Sequence, residues 1–277
     1  MPKSQHELYE RFLELHLQPK GFVMPNAWDG LSAVLLKDAG FQALGTSSAA
    51  LALSLGRLDG RHAISRDEHL AHAALLSTVT GLPINGDFED GYGETPNDVA
   101  ATVKAAIAAG LAGVGIEDTS GNPEKPIRDF DEAVARVAAA AKVAKGRIVL
   151  TGRTDNYIQG NPSLADTIKR LTAFAEVGAD VLFAPYPNNM SEVVAIVKAV
   201  APKPVNIVVG TMEGAVSVAE LLKAGVKRIS MGVALYMRVM ADLRVAAKQL
   251  ADGDTATSST GLNFREASKL IESTILR

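Results

Sequence analysis

The stretch AAGLAGVGIED at residues 108–118 carries the pattern that decides the fold prediction. The end of an alanine-rich helix is followed by glycine, then by a short apolar run that closes on two acidic residues. Glycine suits the left-handed position that ends a helix, and so short an apolar run is typical of a strand buried in a parallel sheet. The same pattern recurs in KDAGFQALGTS (37–47), VTGLPINGDFED (79–90), EVGADVLFAP (176–185) and KAGVKRISMG (223–232).

Three further apolar stretches complete a set of eight predicted strands. They are GFVMPNAWD (21–29), GRIVLTGRTD (146–155) and PVNIVVG (204–210). The strands are predicted near 21–26, 42–46, 83–88, 113–117, 147–152, 180–185, 204–209 and 228–232. Helices are predicted over 29–39, 66–79, 96–109, 130–144, 163–177, 190–200, 213–224 and 234–252. Eight βα units in about 250 residues predict a (β/α)₈ TIM barrel. The alternative is a doubly wound sheet, but no G-x-G-x-x-G follows the first strand.

The C-terminal region differs from the repeating units. Residues 252–262 are polar and predict a linker, and residues 263–277 form an amphipathic pattern that predicts one more helix. A helix tethered beyond a closed barrel packs either on a neighbouring subunit or on its own barrel. We therefore predict a single barrel domain over residues 1–277 with an extra C-terminal helix.

Composition excludes several classes of protein. The formal net charge of −3 lacks the basic footprint of a nucleic-acid-binding protein. The absence of cysteine excludes disulfides, thiolate nucleophiles and cysteine-ligated metal sites. No apolar run approaches the roughly 18–20 residues of a membrane span, and the charged N-terminus is unlike a signal peptide. We expect a cytoplasmic protein without nucleic-acid or membrane partners.

Acidic side chains collect at the predicted strand ends, where barrels carry their functional groups. Asp87 and Glu89 end the third strand, Glu117 ends the fourth, and Asp59 follows the second. Strand alternation would place Asp87 and Glu89 on one face. Arg153 ends the fifth strand. Crowded carboxylates repel unless a cation joins them, which predicts a Mg²⁺ site, with Mn²⁺ as the alternative ion.

Structural roles stay open for some side chains near the strand ends. Asp118 and Asp155 also follow strands, and capping of the next helix is the favoured interpretation for both. Arg153 could instead be a structural ion-pair partner of Glu117 or Asp155. Two interpretations are open for Thr46, Ser47 and Ser48. They bind an anion, or they simply form a tight turn after the second strand.

The strand ends resemble those of the isocitrate lyase / phosphoenolpyruvate mutase superfamily. The resemblance rests on NAWDGLSA (26–33), GTSSAALALSLGRLD (45–59), GDFEDGYG (86–93), GVGIED (113–118) and GRTD (152–155). It implies a (β/α)₈ barrel that uses Mg²⁺. It also implies a homo-oligomer, dimer or tetramer, in which residues 263–277 are exchanged between subunits.

The resemblance implies roles for the acidic residues. Asp87 resembles the direct Mg²⁺ ligand, and Asp59, Glu89 and Glu117 resemble acids that hold the waters of the metal. Glu89 is a departure, because many members have aspartate there. The additional methylene could shift the ion or turn a water-mediated contact into a direct one.

The resemblance also implies a substrate site. Ser47, with the amides of Ser48 and Ala49, resembles the loop that binds the substrate carboxylate and the developing enolate oxygen. Arg153 resembles the arginine that binds substrate. The implied catalytic residues are Arg153, Ser47 and Glu117. The implied substrate-binding residues are Trp28, Thr46, Ser47, Ser48, Ala49, Arg153 and Asn206.

The loop after the fourth strand departs from the lyases of this superfamily. Those enzymes carry a Lys-Lys/Arg-Cys-Gly-His motif there, whereas residues 119–128 read TSGNPEKPIR. This argues against isocitrate-type cleavage by the familiar mechanism. The mutases and phosphonopyruvate hydrolases use lysine and asparagine in this loop, but Asn122 and Lys125 stand in the opposite order. We predict that residues 119–129 form a mobile gate that is ordered only when ligand and metal are bound.

The predicted function is that of a Mg²⁺-dependent carbon–carbon lyase. Its substrate would be a small 2-oxo acid or dicarboxylate, cleaved or decarboxylated through a metal-stabilised enolate. The alternatives are a phosphonopyruvate-type mutase or hydrolase, a ketopantoate hydroxymethyltransferase-type one-carbon transfer, and a non-catalytic dicarboxylate-binding barrel.

Overall fold

The computed structural model describes residues 3–60, 62–209, 216–256 and 260–275. Its strands are β1 Phe22–Met24, β2 Leu44–Gly45, β3 Ile84–Asp87, β4 Gly113–Glu117, β5 Val149–Arg153, β6 Val181–Phe183, β7 Val205–Val208 and β8 Arg228–Ser230. Its helices are α1 Gln5–Leu17, α2 Gly30–Asp38, α3 Ser48–Ser54, α4 Arg66–Thr80, α5 Pro96–Ala108, α6 Phe130–Ala144, α7 Leu164–Glu176, α8 Met190–Ala199, α9 Val218–Lys223, α10 Ala234–Ala251 and α11 Phe264–Ile275.

The eight strands form a nearly closed parallel barrel. Their order is β1-β8-β7-β6-β5-β4-β3-β2, so the first strand lies beside the last. Between β1 and β2 the ladder is reduced to a bridge between Asn26 and Gly45. There the amide of Gly45 donates to the carbonyl of Pro25, and that of Ala27 to the carbonyl of Gly45, both at 2.9 Å. The predicted (β/α)₈ TIM barrel is confirmed.

The predicted elements match the observed ones closely. Every observed strand lies within its predicted range, apart from β5, which extends one residue further to Arg153. The helix predicted over 213–224 is observed as Val218–Lys223, and residues 213–215 lie outside the described residues. Helix α3 was missed, because SAALALS was interpreted as part of the loop after the second strand.

Helix α1 closes the N-terminal end of the barrel. Its Leu8, Phe12 and Leu15 are buried in one cluster with Met24 and Val149 of the strands. Phe12 is fully buried, and the ring of His16 packs edge-on against it with centroids 4.6 Å apart. Because α1 plugs this end, the cavities of the described residues open at the carboxyl ends of the strands.

The C-terminal helices lie outside the barrel wall. Helix α11 packs against α2 and α4 of the same chain, the arrangement that the sequence left open beside exchange between subunits. Helix α10 buries only Tyr236 among its described residues. It exposes Met237, Val239, Leu243, Val245 and Leu250. No helix in the described part of the chain combines the length and apolar character needed to cross a membrane.

Candidate active site

Arg153 stands at the centre of a cluster of carboxylates at the open end of the barrel. Its Nη1 lies 3.1 Å from Asp87 Oδ1 and 3.1 Å from Glu117 Oε2. Its Nε and Nη2 donate to the two oxygens of Asp155 at 2.5 and 2.8 Å. Burial opposes its charge, but the carboxylates of Asp155, Glu117 and Asp87 outweigh that effect and hold the pKa of Arg153 above its ordinary value. Both ion pairs considered for Arg153 therefore exist.

The strand register explains why these groups meet. Glu117 pairs with Arg153 across β4 and β5, and Asp87 pairs with Gly115 across β3 and β4. Gly115 and Glu117 are two residues apart, so both face the interior of the barrel. The strand ends thus deliver carboxylates from two strands to one arginine.

The cluster holds more negative charge than Arg153 neutralises. Burial raises the pKa of Glu117 well above its usual range and that of Glu89 to about 7. Partial desolvation, reinforced by the charge of Asp87, raises the pKa of Asp59, although its side chain keeps an exposed edge. Because burial disfavours the ionised form of these neighbouring carboxyl groups, an additional positive charge beside them would stabilise that form.

The donor set fits a hard divalent cation held mainly through water. Asp87 Oδ2 accepts from the amide and hydroxyl of Ser48 at 3.0 and 3.2 Å, which fixes its orientation. Within the described residues, no three acidic or imidazole side chains converge closely enough to ligate one ion directly. Mg²⁺ commonly keeps several waters and takes one or two carboxylates. Asp87 as direct ligand, with Asp59, Glu89 and Glu117 holding waters, matches that preference.

Glu89 reaches the site by a different route from the one predicted. Strand β3 ends at Asp87, and Glu89 adopts a left-handed φ of 47° in the turn that follows. The argument from strand alternation was therefore wrong. The turn nevertheless directs the side chain into the acidic cavity, where Glu89 Oε1 accepts from the hydroxyl of Tyr92 at 3.2 Å.

Six of the seven residues predicted to bind substrate line a cavity of about 260 Å³ inside the barrel mouth. Its walls include Thr46, Ser47, Ser48, Ala49, Asp87, Arg153 and Asn206. Ser47 Oγ caps α3 by accepting from the amide of Ala50 at 3.3 Å. Trp28 instead packs edge-on against Tyr236, with centroids 5.5 Å apart, and does not line either cavity in the described part of the chain. Its substrate-binding role stays a prediction.

A second cavity, of about 650 Å³, lies beneath residues 119–129. It shares Ser48, Asp59 and Arg153 with the first, so the two are parts of one site. A bridge between Thr119 and Ile127 folds this loop back on itself. Arg128 fastens it by donating to Asp90 Oδ2 at 2.8 Å. The loop thus covers the acidic cluster.

Asp118 and Asp155 do not cap the following helices, so that interpretation was wrong. Ser163 caps α7, and α6 begins after Asp129, which makes no side-chain capping bond. Asp118 instead accepts from the amide of Asp155 at 2.9 Å and from the hydroxyl of Thr154 at 2.7 Å. It therefore fixes the segment that carries Asp155 onto Arg153.

Comparison with known proteins agrees with this geometry. The family model described as phosphoenolpyruvate phosphomutase matches residues 12–251. The chain belongs to this family. It is therefore a member of the superfamily that its strand ends resemble, whose members include lyases and mutases.

Three similar proteins illustrate the range of the family. A crystal structure of a putative lyase/mutase from Burkholderia cenocepacia is 40% identical, with a TM-score of 0.91 over 96% of this chain and 95% of the other. An uncharacterized protein of Mycobacterium tuberculosis is 33% identical over 88% of this chain and 90% of its own length. An oxaloacetate decarboxylase of Paraburkholderia xenovorans is 33% identical over 64% of this chain and 60% of its own length.

Two side chains of this family member were not anticipated near the site. His69 is fully buried. Its Nε2 lies 2.9 Å from Thr46 Oγ1, and its Nδ1 lies 3.1 Å from the hydroxyl of Tyr92. Burial lowers its pKa to about 4, so the ring is neutral. Arg228 lies in the barrel interior, and its position two residues before Ser230 on β8 is the signal that could have placed it there.

Proposed function

We propose that this protein is a Mg²⁺-dependent carbon–carbon lyase that cleaves or decarboxylates a small 2-oxo acid or dicarboxylate. One observation carries the proposal: Asp87 and Glu117 meet Arg153 at the open end of the barrel, with Asp59 and Glu89 beside them. Such a site combines oxygen ligands for a hard cation with a guanidinium for a carboxylate. The similarity to an oxaloacetate decarboxylase supports the same class of substrate.

The residues of the chain would divide the chemistry between them. Asp87 would hold the ion directly, with Asp59, Glu89 and Glu117 acting through water. A Mg²⁺ ion bound there supplies Lewis acidity as negative charge grows on the keto oxygen. Arg153 and the loop around Ser47 add fixed hydrogen-bond donors, a kind of stabilisation that is often worth a few kcal/mol for each donor.

Decarboxylation suits this residue set better than aldol-type cleavage. Departure of CO₂ requires no acid beforehand, whereas the related lyases use a cysteine acid that this chain lacks. The position of the lysine in this loop also gives no support to mutase chemistry. Lys125 forms an ion pair with Asp129 at 2.5 Å on the surface and is absent from the described walls of both cavities.

We also propose that the protein is a homo-oligomer, a dimer or a tetramer. Helix α10 leaves Met237 half exposed and Leu243 59% exposed. Val239, Leu243 and Leu250 are spaced so that they lie on one side of α10, and a row of exposed apolar side chains of this kind marks an interaction surface. A second copy of the chain would cover them.

The proposed function is tested by product detection with Asp87→Asn. NMR would follow the wild-type protein with Mg²⁺ and oxaloacetate, 2-oxoglutarate and substituted malates. We expect Mg²⁺-dependent turnover of at least one of these acids. Its loss in Asp87→Asn should exceed the roughly 10- to 100-fold typical of losing an outer-shell partner of a metal.

The matched control is Asp67→Asn, which removes an exposed carboxylate on α4. It should leave turnover unchanged. Equal Mg²⁺ dependence in wild type and Asp87→Asn would contradict the assignment of the metal ligand. Metal-dependent binding without product would favour a dicarboxylate-binding barrel.

A further inference from the structure

Arg228 is a buried cation whose hydrogen-bond partners among the described residues are all neutral. Its Nε donates to Asn206 Oδ1 and its Nη2 to Thr151 Oγ1, both at 3.0 Å. Its Nη1 lies 3.3 Å from His16 Nε2. Burial lowers the pKa of His16 to about 3, so this imidazole is uncharged. Within the part of the chain that the structure describes, three of the five guanidinium N–H groups are thus used, and none of them contacts a carboxylate.

This arrangement is electrostatically incomplete. Arg228 is only 1% exposed, and an isolated charge in so dry a place is costly unless an opposite charge joins it. Burial lowers the pKa of Arg228 to about 9, which still leaves it protonated at neutral pH. A ligand that carries negative charge would therefore be stabilised beside it.

The distribution of charge over the cavity walls is uneven. Arg153 contacts three carboxylates, and Arg128 contacts Asp90 and Glu132. Among the described residues that line the two cavities, Arg228 is the arginine that has no acidic partner. A negatively charged group of the substrate that does not bind at the acidic cluster could therefore pair with Arg228.

Below Asp87 the cavity continues into a polar space that we call the barrel shaft. Its walls are Asn85, Gly115, Thr151, Asn206, Arg228 and Ser230. Thr151 and Arg153 lie two residues apart on one face of β5. The level of Thr151 in the shaft is therefore about 6.6 Å below the level of Arg153 in the acidic cluster. A four- or five-carbon chain spans a distance of this order.

Two details indicate that the shaft is built to hold something. Asn85 is 6% exposed, and its Oδ1 is buried without a hydrogen-bond partner. A Cβ added to Gly115 would meet nothing closer than the carbonyl oxygen of Gly86 at 3.6 Å, so the space beside this glycine is open. Asn85 Oδ1 can only accept a hydrogen bond, so its partner would be a water or a hydroxyl group, whereas a carboxylate in the shaft would be held by Arg228.

We propose that Arg228 binds the second carboxylate of a dicarboxylic substrate whose 2-oxo-acid end lies at Asp87 and Arg153. This inference rests on the proposed function and extends it by a length requirement. A two-carbon acid occupies the acidic cluster alone. A four-carbon 2-oxo diacid also reaches down the shaft and gains the charge-assisted contact with Arg228.

The test compares two stable probes by calorimetry in the presence of Mg²⁺. Oxalate has the chelating end alone, whereas 3,3-difluorooxaloacetate has the chelating end and a second carboxylate. Arg228→Met keeps the bulk of the side chain and removes its charge. We expect it to weaken difluorooxaloacetate binding by about tenfold to a hundredfold, as for loss of a hydrogen bond between charged groups, and to leave oxalate binding unchanged.

Control variants separate this role from a structural one. Arg66→Met removes an exposed arginine of α4 and should leave both affinities unchanged. Gly115→Ala narrows the shaft without removing any hydrogen bond, so it tests the inference even if Arg228→Met fails to fold. It should weaken difluorooxaloacetate selectively.

The contrary outcomes are distinct. Equal weakening of both probes by Arg228→Met would mean that Arg228 only ties β8 to α1 through His16. Unchanged difluorooxaloacetate binding in Arg228→Met, or in Gly115→Ala if the first variant does not fold, would also overturn the inference. In each of these cases the proposed function survives. Failure of wild type to bind either probe with Mg²⁺ would overturn the proposed function itself.

Discussion

At the scale of single residues, two histidines stay uncharged because the fold buries them. His16 donates from Nδ1 to the carbonyl of Phe12 at 2.7 Å and is 2% exposed. His69 is fully buried between Thr46 and Tyr92. Both rings resist protonation inside the folded protein, so at low pH it is unfolding that is coupled to proton uptake.

His16 gives a prediction for acid stability. Burial lowers its pKa from 6.5 to about 3. Between these values the unfolded chain takes up a proton at His16 that the folded chain does not, so stability falls as pH falls. The contribution is about 1.4 kcal/mol per pH unit. Urea unfolding across this range should show a decline in the free energy of unfolding that is shallower by this amount in His16→Leu.

The control is His6→Leu, which removes an exposed imidazole that forms an ion pair with Glu10. Its pH profile should run parallel to that of wild type. A wild-type slope in His16→Leu would contradict the burial of His16 as an uncharged ring.

The sequence was enough to predict the charged residues of the site. It was not enough to predict the side chains that contact them. Asp87, Glu117 and Arg153 were found because strand ends can be recognised from apolar runs. Arg228 and His69 were missed, because neither a strand start nor one face of an amphipathic helix reveals which side chains meet across a barrel. Partners that come from distant segments depend on register, which a single sequence does not specify.

At the scale of elements, the loop over residues 119–129 is organised by its own hydrogen bonds. Ser120 donates its amide to the carbonyl of Pro126 at 2.8 Å. Arg128 Nε donates to the carbonyl of Thr119 at 2.9 Å, and Arg128 Nη2 reaches Asp90. Asp90 also accepts from His62, at 2.7 Å, so one carboxylate joins this loop to the segment after α3. Its gating role stays a prediction.

The contacts of Arg128 lead to a prediction about the protease sensitivity of the loop. Arg128→Gln removes a partly buried ion pair, a contact whose loss typically costs a few kcal/mol. We expect cleavage within residues 119–127 by a broad-specificity protease to be at least about tenfold faster. Mass spectrometry of the first fragments would locate the cut.

Lys125→Gln is the matched control in the same loop, because Lys125 forms an exposed ion pair, a type that contributes little. It should leave the cleavage rate near that of wild type. Equal acceleration by both variants would show that Arg128 has no special part in holding the loop. Slower cleavage of wild type with Mg²⁺ and an oxo acid is expected if the loop closes over ligand.

At the scale of the whole molecule, α10 and α11 stand apart from the barrel in different ways. Helix α11 packs on α2 and α4, whereas α10 carries exposed apolar side chains that the described part of the chain does not cover. The resemblance implied exchange of the last helix, whereas its sequence pattern left both packings open, because an amphipathic pattern shows that a face must be covered without showing by what. In the structure, α10 is the helix whose exposed apolar side chains are available for contact with a second copy of the chain.

Leu243 tests the proposed self-association. It is 59% exposed on α10. Leu243→Glu should therefore change the free energy of unfolding of the monomer by no more than about 0.5 kcal/mol, as is usual for surface positions. A charge at an apolar interface is expected to shift the sedimentation velocity toward the single chain. Lys248→Glu, on the same helix, should sediment like wild type. An unchanged sedimentation coefficient in Leu243→Glu would exclude this face as the interface.

The pairing of β1 with β8 also has a consequence for how the protein is made. Phe22 pairs with Arg228. At roughly 5–20 residues per second of synthesis, the strand edge of β1 waits about 10–40 seconds for its partner to leave the ribosome. During that interval the apolar face of α1 has no finished barrel to close. The nascent chain therefore presents a natural client surface for a chaperone until the last strand arrives.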